Sequence, residues 1–192
     1  MTATEQKIIE AAIRTFVRYG ARKTAMADIA TEAGVSRQTL YDTFGGKDEL
    51  IVASIRCITG RNLQAVRDDL AGCTSLSTQL DAYFERTVIR SFQLLQTSGD
   101  AEDLVSGHNQ AGREEIVRSH DKHQALVAEL LRPHSRVLAD SGLTPDQLAH
   151  LVVTVVMGLK YSAKSRDDLD ALLVTFKTAV LALLGDSVSE LG

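Results

Sequence analysis

Residues 24–44 read TAMADIATEAGVSRQTLYDTF, and the fold turns on how they are divided. Ile29, Ala30 and Ala33 mark the inner side of one short helix, and Leu40 and Phe44 that of a second. Between them stands Gly34-Val35. Glycine accepts the left-handed conformation that ends a helix at no steric cost, so Gly34 stops the first helix and opens a tight turn. Thr24 is read as the N-cap of the first helix. The second starts near Ser36 and ends at Phe44, because Gly45-Gly46 cannot sustain it. Two short helices joined at this spacing form a helix-turn-helix.

The second helix has two unlike halves. At about 100° per residue, Leu40 and Phe44 lie about 40° apart, while Gln38, Thr39 and Asp42 point to the opposite side. Arg37 and Tyr41 take the flank. The apolar half fixes the helix and the polar half is free to read a nucleic acid. Asp42 is the discordant residue, since an acid on that face repels phosphates.

Outward from this unit the periodicity remains helical. Thr2-x-x-Glu5 reads as a capping box opening a first helix, with Ile9, Ala12, Ile13, Phe16 and Val17 inward and Gly20 as its end. A long helix covers about 47–70 and another about 75–96, the latter carrying Leu80, Phe84, Val88 and Leu95. The polar, glycine-punctuated stretch 97–112 reads as loop. Helix resumes near Glu114 and runs to about Ala139, with Pro133 as a break. Thr144-Pro145-Asp146-Gln147 and Ser165-x-x-Asp168 open two final helices, about 145–163 and 167–184. Both are apolar on more than one side, which calls for a second surface to bury them. They are read as the interface of a homodimer. No run alternates with period two long enough to make a strand, so the fold class is all-α.

Composition narrows the function. The chain has 192 residues, 44% hydrophobic and 24% charged, with a net charge of −4. Residues 1–47 hold seven basic and five acidic side chains, a balance of +2, and the remainder carries −6. A slightly basic head on an acidic body suits one nucleic-acid face and one solvated body. Cys57 and Cys73 make neither a zinc pattern nor a disulfide framework. The most apolar run, 151–159, is too short to span a bilayer, and the N-terminus lacks a signal layout, so a cytoplasmic protein is expected with no membrane partner. His120 and His123 share a helix face, but no third ligand has a fixed spacing. No metal and no cofactor are expected.

Residues 8–55, IIEAAIRTFVRYGARKTAMADIATEAGVSRQTLYDTFGGKDELIVASI, closely resemble the N-terminal domain of tetracycline-repressor-like (TetR) regulators. The shared landmarks are Phe16, Gly20, Thr24, Asp28-Ile29-Ala30, Ala33-Gly34-Val35-Ser36, Thr39-Leu40-Tyr41, Phe44, Lys47 and Leu50. The resemblance covers about a quarter of the chain. It implies an N-terminal three-helix DNA-binding domain, residues 1–47, and a larger helical domain, 48–192, for effector binding and dimerisation. Thr24 and Ser36 would hold phosphates, Tyr41 would donate to one and Lys47 would pair with another. Arg37, Gln38 and Thr39 would face base edges, with Asp42 accepting from a cytosine amino group or orienting Gln38 across one helical turn. Effector binding would tilt the helix after Lys47 and change the separation of two reading helices in a dimer.

The function implied is that of a ligand-responsive transcriptional regulator, most often a repressor in this family. It would bind a palindromic double-stranded operator as a homodimer and be released by a small-molecule effector. The effector pocket is expected among the helices between 50 and 163, with Tyr83, Phe92, His123 and Met157 as lining candidates and a mostly apolar ligand. Two alternatives stand beside this. One is a helical dimerisation protein without DNA binding, for which Asp42 is the best argument. The other is a small helical enzyme, but the sequence has no phosphate-cradling glycine loop, nucleophile elbow or ligand cluster, and none is expected.

Overall fold

A computed structural model describes residues 1–97 and 110–185, and every regular element among them is helical. The helices are α1 (Ala3–Tyr19), α2 (Met26–Ala33), α3 (Arg37–Phe44), α4 (Lys47–Leu70), α5 (Leu76–Phe84), α6 (Arg90–Thr97), α7 (Gln110–Leu131), α8 (Ser135–Asp140), α9 (Pro145–Ser162) and α10 (Arg166–Leu183). A π-helical turn, Glu85–Ile89, links α5 to α6, and a 3-10 turn, Arg132–His134, links α7 to α8.

The caps explain the boundaries. At α1 the Thr2 hydroxyl accepts from the Glu5 N–H (3.2 Å) while the Thr2 N–H donates to Glu5 Oε2 (2.7 Å). Thr144 and Gln147 repeat the exchange at α9, with Pro145 in the first turn, where no donor is lost. At α10 the Ser165 hydroxyl accepts from the Asp168 N–H, and Asp168 reaches back to the Lys164 N–H.

Three expectations are corrected. Thr24 does not cap α2: its N–H and hydroxyl both go to the Gly20 carbonyl, at 3.2 and 2.8 Å. The N-cap is Ala25, whose N–H is taken by Asp28 Oδ2 at 3.0 Å. The helix expected over 75–96 is broken by the π turn, where the Arg90 N–H reaches back five residues to the Glu85 carbonyl. The resumption expected near Glu114 comes earlier, at Gln110. The loop expected over 97–112 falls mostly outside the described residues. Pro133 does interrupt the helix, as the 3-10 turn between α7 and α8.

The chain divides into two compact units, Met1–Arg61 with the described part of Leu94–Ser119, and Asn62–Gln93 with the described part of His120–Gly192. The first reaches beyond residue 47 because α4 helps to build its core. Leu50 and Ile55 are buried with Ile8, Ala12, Phe16, Ile29 and Leu40, and Ile51, Ile58 and Ile116 pack against them. The second unit has its own core from Leu80, Tyr83, Val88, Leu126, Leu131, Val152, Val156 and Leu173. In it α9 packs along the π turn and against α10, and α10 packs against α5. No single helix among the described residues is long and apolar enough to cross a membrane.

Candidate nucleic-acid interface

The first unit presents α3 from a fixed base. Gly34, at φ 59°, ends α2, and the Val35 N–H closes the turn on the Ala30 carbonyl at 3.0 Å. A Cβ at that position would be strained whatever the space around it. Ser36 then caps α3, its hydroxyl accepting from the Thr39 N–H at 3.0 Å and lying 2.8 Å from the Thr39 hydroxyl. Leu40 is wholly buried and holds the helix to the core.

The opposite side of α3 faces water. Arg37, Gln38 and Asp42 are exposed, Thr39 is half-buried at the cap, and Tyr41 is 47% exposed. Gln38 Nε2 donates to Asp42 Oδ1 at 2.7 Å, the contact across one turn that the spacing allows. One amide hydrogen of Gln38 is thereby fixed, which leaves the carbonyl oxygen and the second hydrogen for a base edge. Lys47 begins α4, and its ammonium donates to the Arg22 carbonyl at 3.2 Å, tying α4 to the turn after α1.

Thr24 stands apart from the other candidates. It is buried, with its hydroxyl spent on Gly20, and so supports the α1–α2 turn from within. Beside it lies an open groove of about 720 Å³ lined by Arg18, Tyr19, Lys23, Thr24, Asp28 and Glu32 among others. Its two cations are matched by two acids, so it is no ready anion cradle. The guanidinium of Arg18 stacks over the Tyr19 ring at 5.2 Å.

The second unit gathers the expected pocket residues into its core. Tyr83, Phe92 and His123 are buried and Met157 packs against the same cluster. The Tyr83 hydroxyl lies 3.3 Å from His123 Nδ1, with the rings edge-on at 5.8 Å. Burial pushes the phenol well above its ordinary range and, with the nearby His120 and Lys160, brings the His123 imidazole down to about 4. Both groups are therefore neutral at pH 7. Among the described residues no three His, Cys, Asp or Glu side chains converge on a metal position.

One polar feature went unread in the sequence. Glu115 on α7 is buried, and Arg56 of α4 grips it through Nε at 3.3 Å and Nη2 at 3.0 Å. Arg118, one turn along α7, adds contacts at 3.1 and 2.9 Å. Nothing in the local sequence separates this Glu from its exposed neighbour Glu114.

Comparison with known proteins agrees with this geometry. Residues 8–54 match the family of bacterial regulatory proteins, tetR family. The HTH-type transcriptional regulator BetI of Brucella canis is 44% identical over 63 residues, 31% of this chain and 32% of BetI. The chain is thus matched over about a third of that relative's length. Among solved structures, FadR from Bacillus subtilis in complex with stearoyl-CoA is 18% identical with a TM-score of 0.64, covering 97% of this chain and 99% of that one. A transcriptional regulator from Saccharomonospora viridis in complex with choline is 20% identical with a TM-score of 0.67, covering 90% and 94%. At such identities the likeness speaks for the fold, which extends over both units. Each of these proteins is a transcriptional regulator. Residues 8–54 thus form an N-terminal domain of the tetR family kind.

Proposed function

We propose that the protein is a ligand-responsive transcriptional regulator, a repressor that binds a palindromic operator as a homodimer and leaves it when a small molecule binds. Residues 1–47 serve as the DNA-binding domain and 48–192 as the effector-binding and dimerisation domain. The observation that carries the reading is α3: a helix anchored by buried Leu40 that turns Arg37, Gln38, Tyr41 and Asp42 to solvent. Phosphates would be met by Tyr41, by Lys47 and by the free N–H groups at the Ser36 end of α3. Arg37, Gln38, Thr39 and Asp42 would meet the bases. Thr24 acts indirectly, by holding the α1–α2 turn. The protein works in the cytoplasm, where its DNA lies.

Effector binding by the second unit is supported by its apolar core with few polar groups, and by relatives of the same fold that carry ligands. The test is to capture genomic DNA fragments on the purified protein and sequence them. A palindromic site bound in a salt-dependent manner is expected. Tyr41→Phe and Lys47→Ala should each weaken binding on every sequence, and Lys47→Ala alone should also lower the salt slope by about one unit, because only the cation displaces a counter-ion. A protein that retained no fragment at low salt would leave the dimerisation-protein reading in its place.

A further inference from the structure

Gln38 and Asp42 stand one turn apart on the exposed side of α3, and Gln38 Nε2 donates to Asp42 Oδ1 at 2.7 Å. An unrestrained glutamine amide turns over freely and presents its oxygen or its nitrogen, so it suits several bases. Here that freedom is removed. A carboxylate only accepts, so the nitrogen side of the amide must face Asp42. Oε1 and the second Nε2 hydrogen are left for the DNA, as is Asp42 Oδ2. The Ser36 cap and the wholly buried Leu40 fix the helix beneath the pair, which therefore presents its groups at set positions.

Major-groove edges then sort by their donors. Adenine offers the N6 amino group beside the N7 acceptor, which matches an oxygen and a hydrogen side by side. Guanine offers two acceptors, N7 and O6, and one of them would meet Gln38 Oε1. Asp42 Oδ2 also needs a donor. Cytosine supplies one at N4, whereas adenine N6 brings N7 with it, an acceptor set against the carboxylate. Facing guanine or thymine, the carboxylate would lose water and meet only acceptors, which penalises those bases. At 1.5 Å per residue the two side chains are about 6 Å apart along α3, less than two base-pair steps of about 3.4 Å.

We infer that Gln38 and Asp42 form one reading unit, which selects adenine through Gln38 and, one or two base pairs away in the same half-site, cytosine through Asp42. This rests on the reading of α3 as the DNA-binding helix and adds the bases it selects. Asp42 thus has two roles: it meets a base of its own, and it positions Gln38 for the other.

The test uses the full-length protein and the operator found among the retained genomic fragments. Each base pair of the half-site is replaced in turn by the other three, on both sides of the palindrome. Affinities of the parent, Gln38→Ala and Asp42→Ala are read by fluorescence anisotropy at low salt, with helicity checked by circular dichroism. Each is taken relative to the same protein's affinity for the unaltered operator, so a general change in DNA binding cancels. The parent should lose about tenfold or more at one adenine pair and one cytosine pair. Gln38→Ala should erase the adenine preference and keep the cytosine one. Asp42→Ala should erase the cytosine preference and also admit guanine about as well as adenine at the Gln38 position, because the freed amide can turn over. An operator without an adenine and a cytosine so spaced, an adenine preference that Asp42→Ala leaves intact, or base preferences unmoved by either variant would each overturn the inference while the regulator reading stands. A protein that retains no fragment would overturn both.

Discussion

At the scale of single residues, Asp42 illustrates how an apparent misfit becomes a device. Its carboxylate is fixed on Gln38, so the pair offers the bases one shaped unit in place of two mobile side chains. The charge also repels any phosphate that α3 approaches out of register. Asp42→Asn removes the charge and keeps a hydrogen-bond acceptor. It should bind random duplex about threefold more tightly at low salt, the scale of one screened surface charge, as read by fluorescence anisotropy. An unchanged affinity for random duplex would count against the repulsion account. His123 makes a prediction about pH. Its folded pKa of about 4 lies below the ordinary 6.5, so the unfolded chain takes up a proton first as pH falls. The stability it contributes is complete above pH 6.5 and is lost between 6.5 and about 4, a cost of roughly 3 kcal/mol at about 1.4 kcal/mol per unit. His120, also lowered by burial, adds to the same slope. His123→Gln should flatten urea midpoints across this range relative to the parent. A slope unchanged by the substitution would place the effect elsewhere.

At the scale of elements, the Glu115 clamp joins α4 to α7 within the first unit. Burial alone would raise the Glu115 carboxyl, but hydrogen bonds from Arg56 and Arg118 hold it below the usual range. The carboxylate is buried while the guanidinium side chains remain 60% and 50% exposed, so the two sides of the clamp are not equivalent. Removing both arginines strands a buried charge, whereas replacing Glu115 frees two arginines to water. The Arg56→Ala, Arg118→Ala double variant should lose about 3 kcal/mol in urea unfolding, at the low end for a stranded buried charge. Glu115→Leu should lose clearly less, and the reverse order would refute the assignment. This clamp also marks where sequence reading ends. Helices α1 to α4 were legible because Gly20, Gly34 and Gly45 and the Thr2 and Ser36 caps coincide with apolar stripes. The burial of Glu115 depends on a partner 59 positions away, and nothing local reports it. The π turn was hidden for a related reason. Leu80, Phe84 and Val88 keep a helical spacing through it, and the extra residue is taken up in the ERTVI turn itself. Thr24 misled because a Thr before a helix is a common cap, while the N-cap here is Ala25, whose N–H Asp28 satisfies from inside the helix.

At the scale of the whole molecule, α9 and α10 carry the argument for a second copy. Their inner faces bury Val152, Val156, Leu169, Leu173 and Val180. Their outer faces should be charged if they met only water. Instead, Leu151 is 51% and Val174 56% exposed, and their exposed neighbours Thr154, Gly158, Ala171, Thr175, Thr178 and Ala179 bear no charge. Two uncharged helical faces side by side suit a symmetric contact in which each helix pair covers its twin. A palindrome with half-sites about 34–36 Å apart needs two α3 helices, and joint docking multiplies the affinity of one site by about a hundredfold or more. The Leu151→Glu, Val174→Glu double variant places like charges in that contact while leaving both inner faces intact. It should sediment as a monomer with unchanged helicity and bind the full palindrome no better than a single half-site. The parent should sediment as a dimer with a strong preference for the palindrome. A variant that remained dimeric would move the interface to another face, and a parent that was monomeric on its operator would end the two-fold reading altogether.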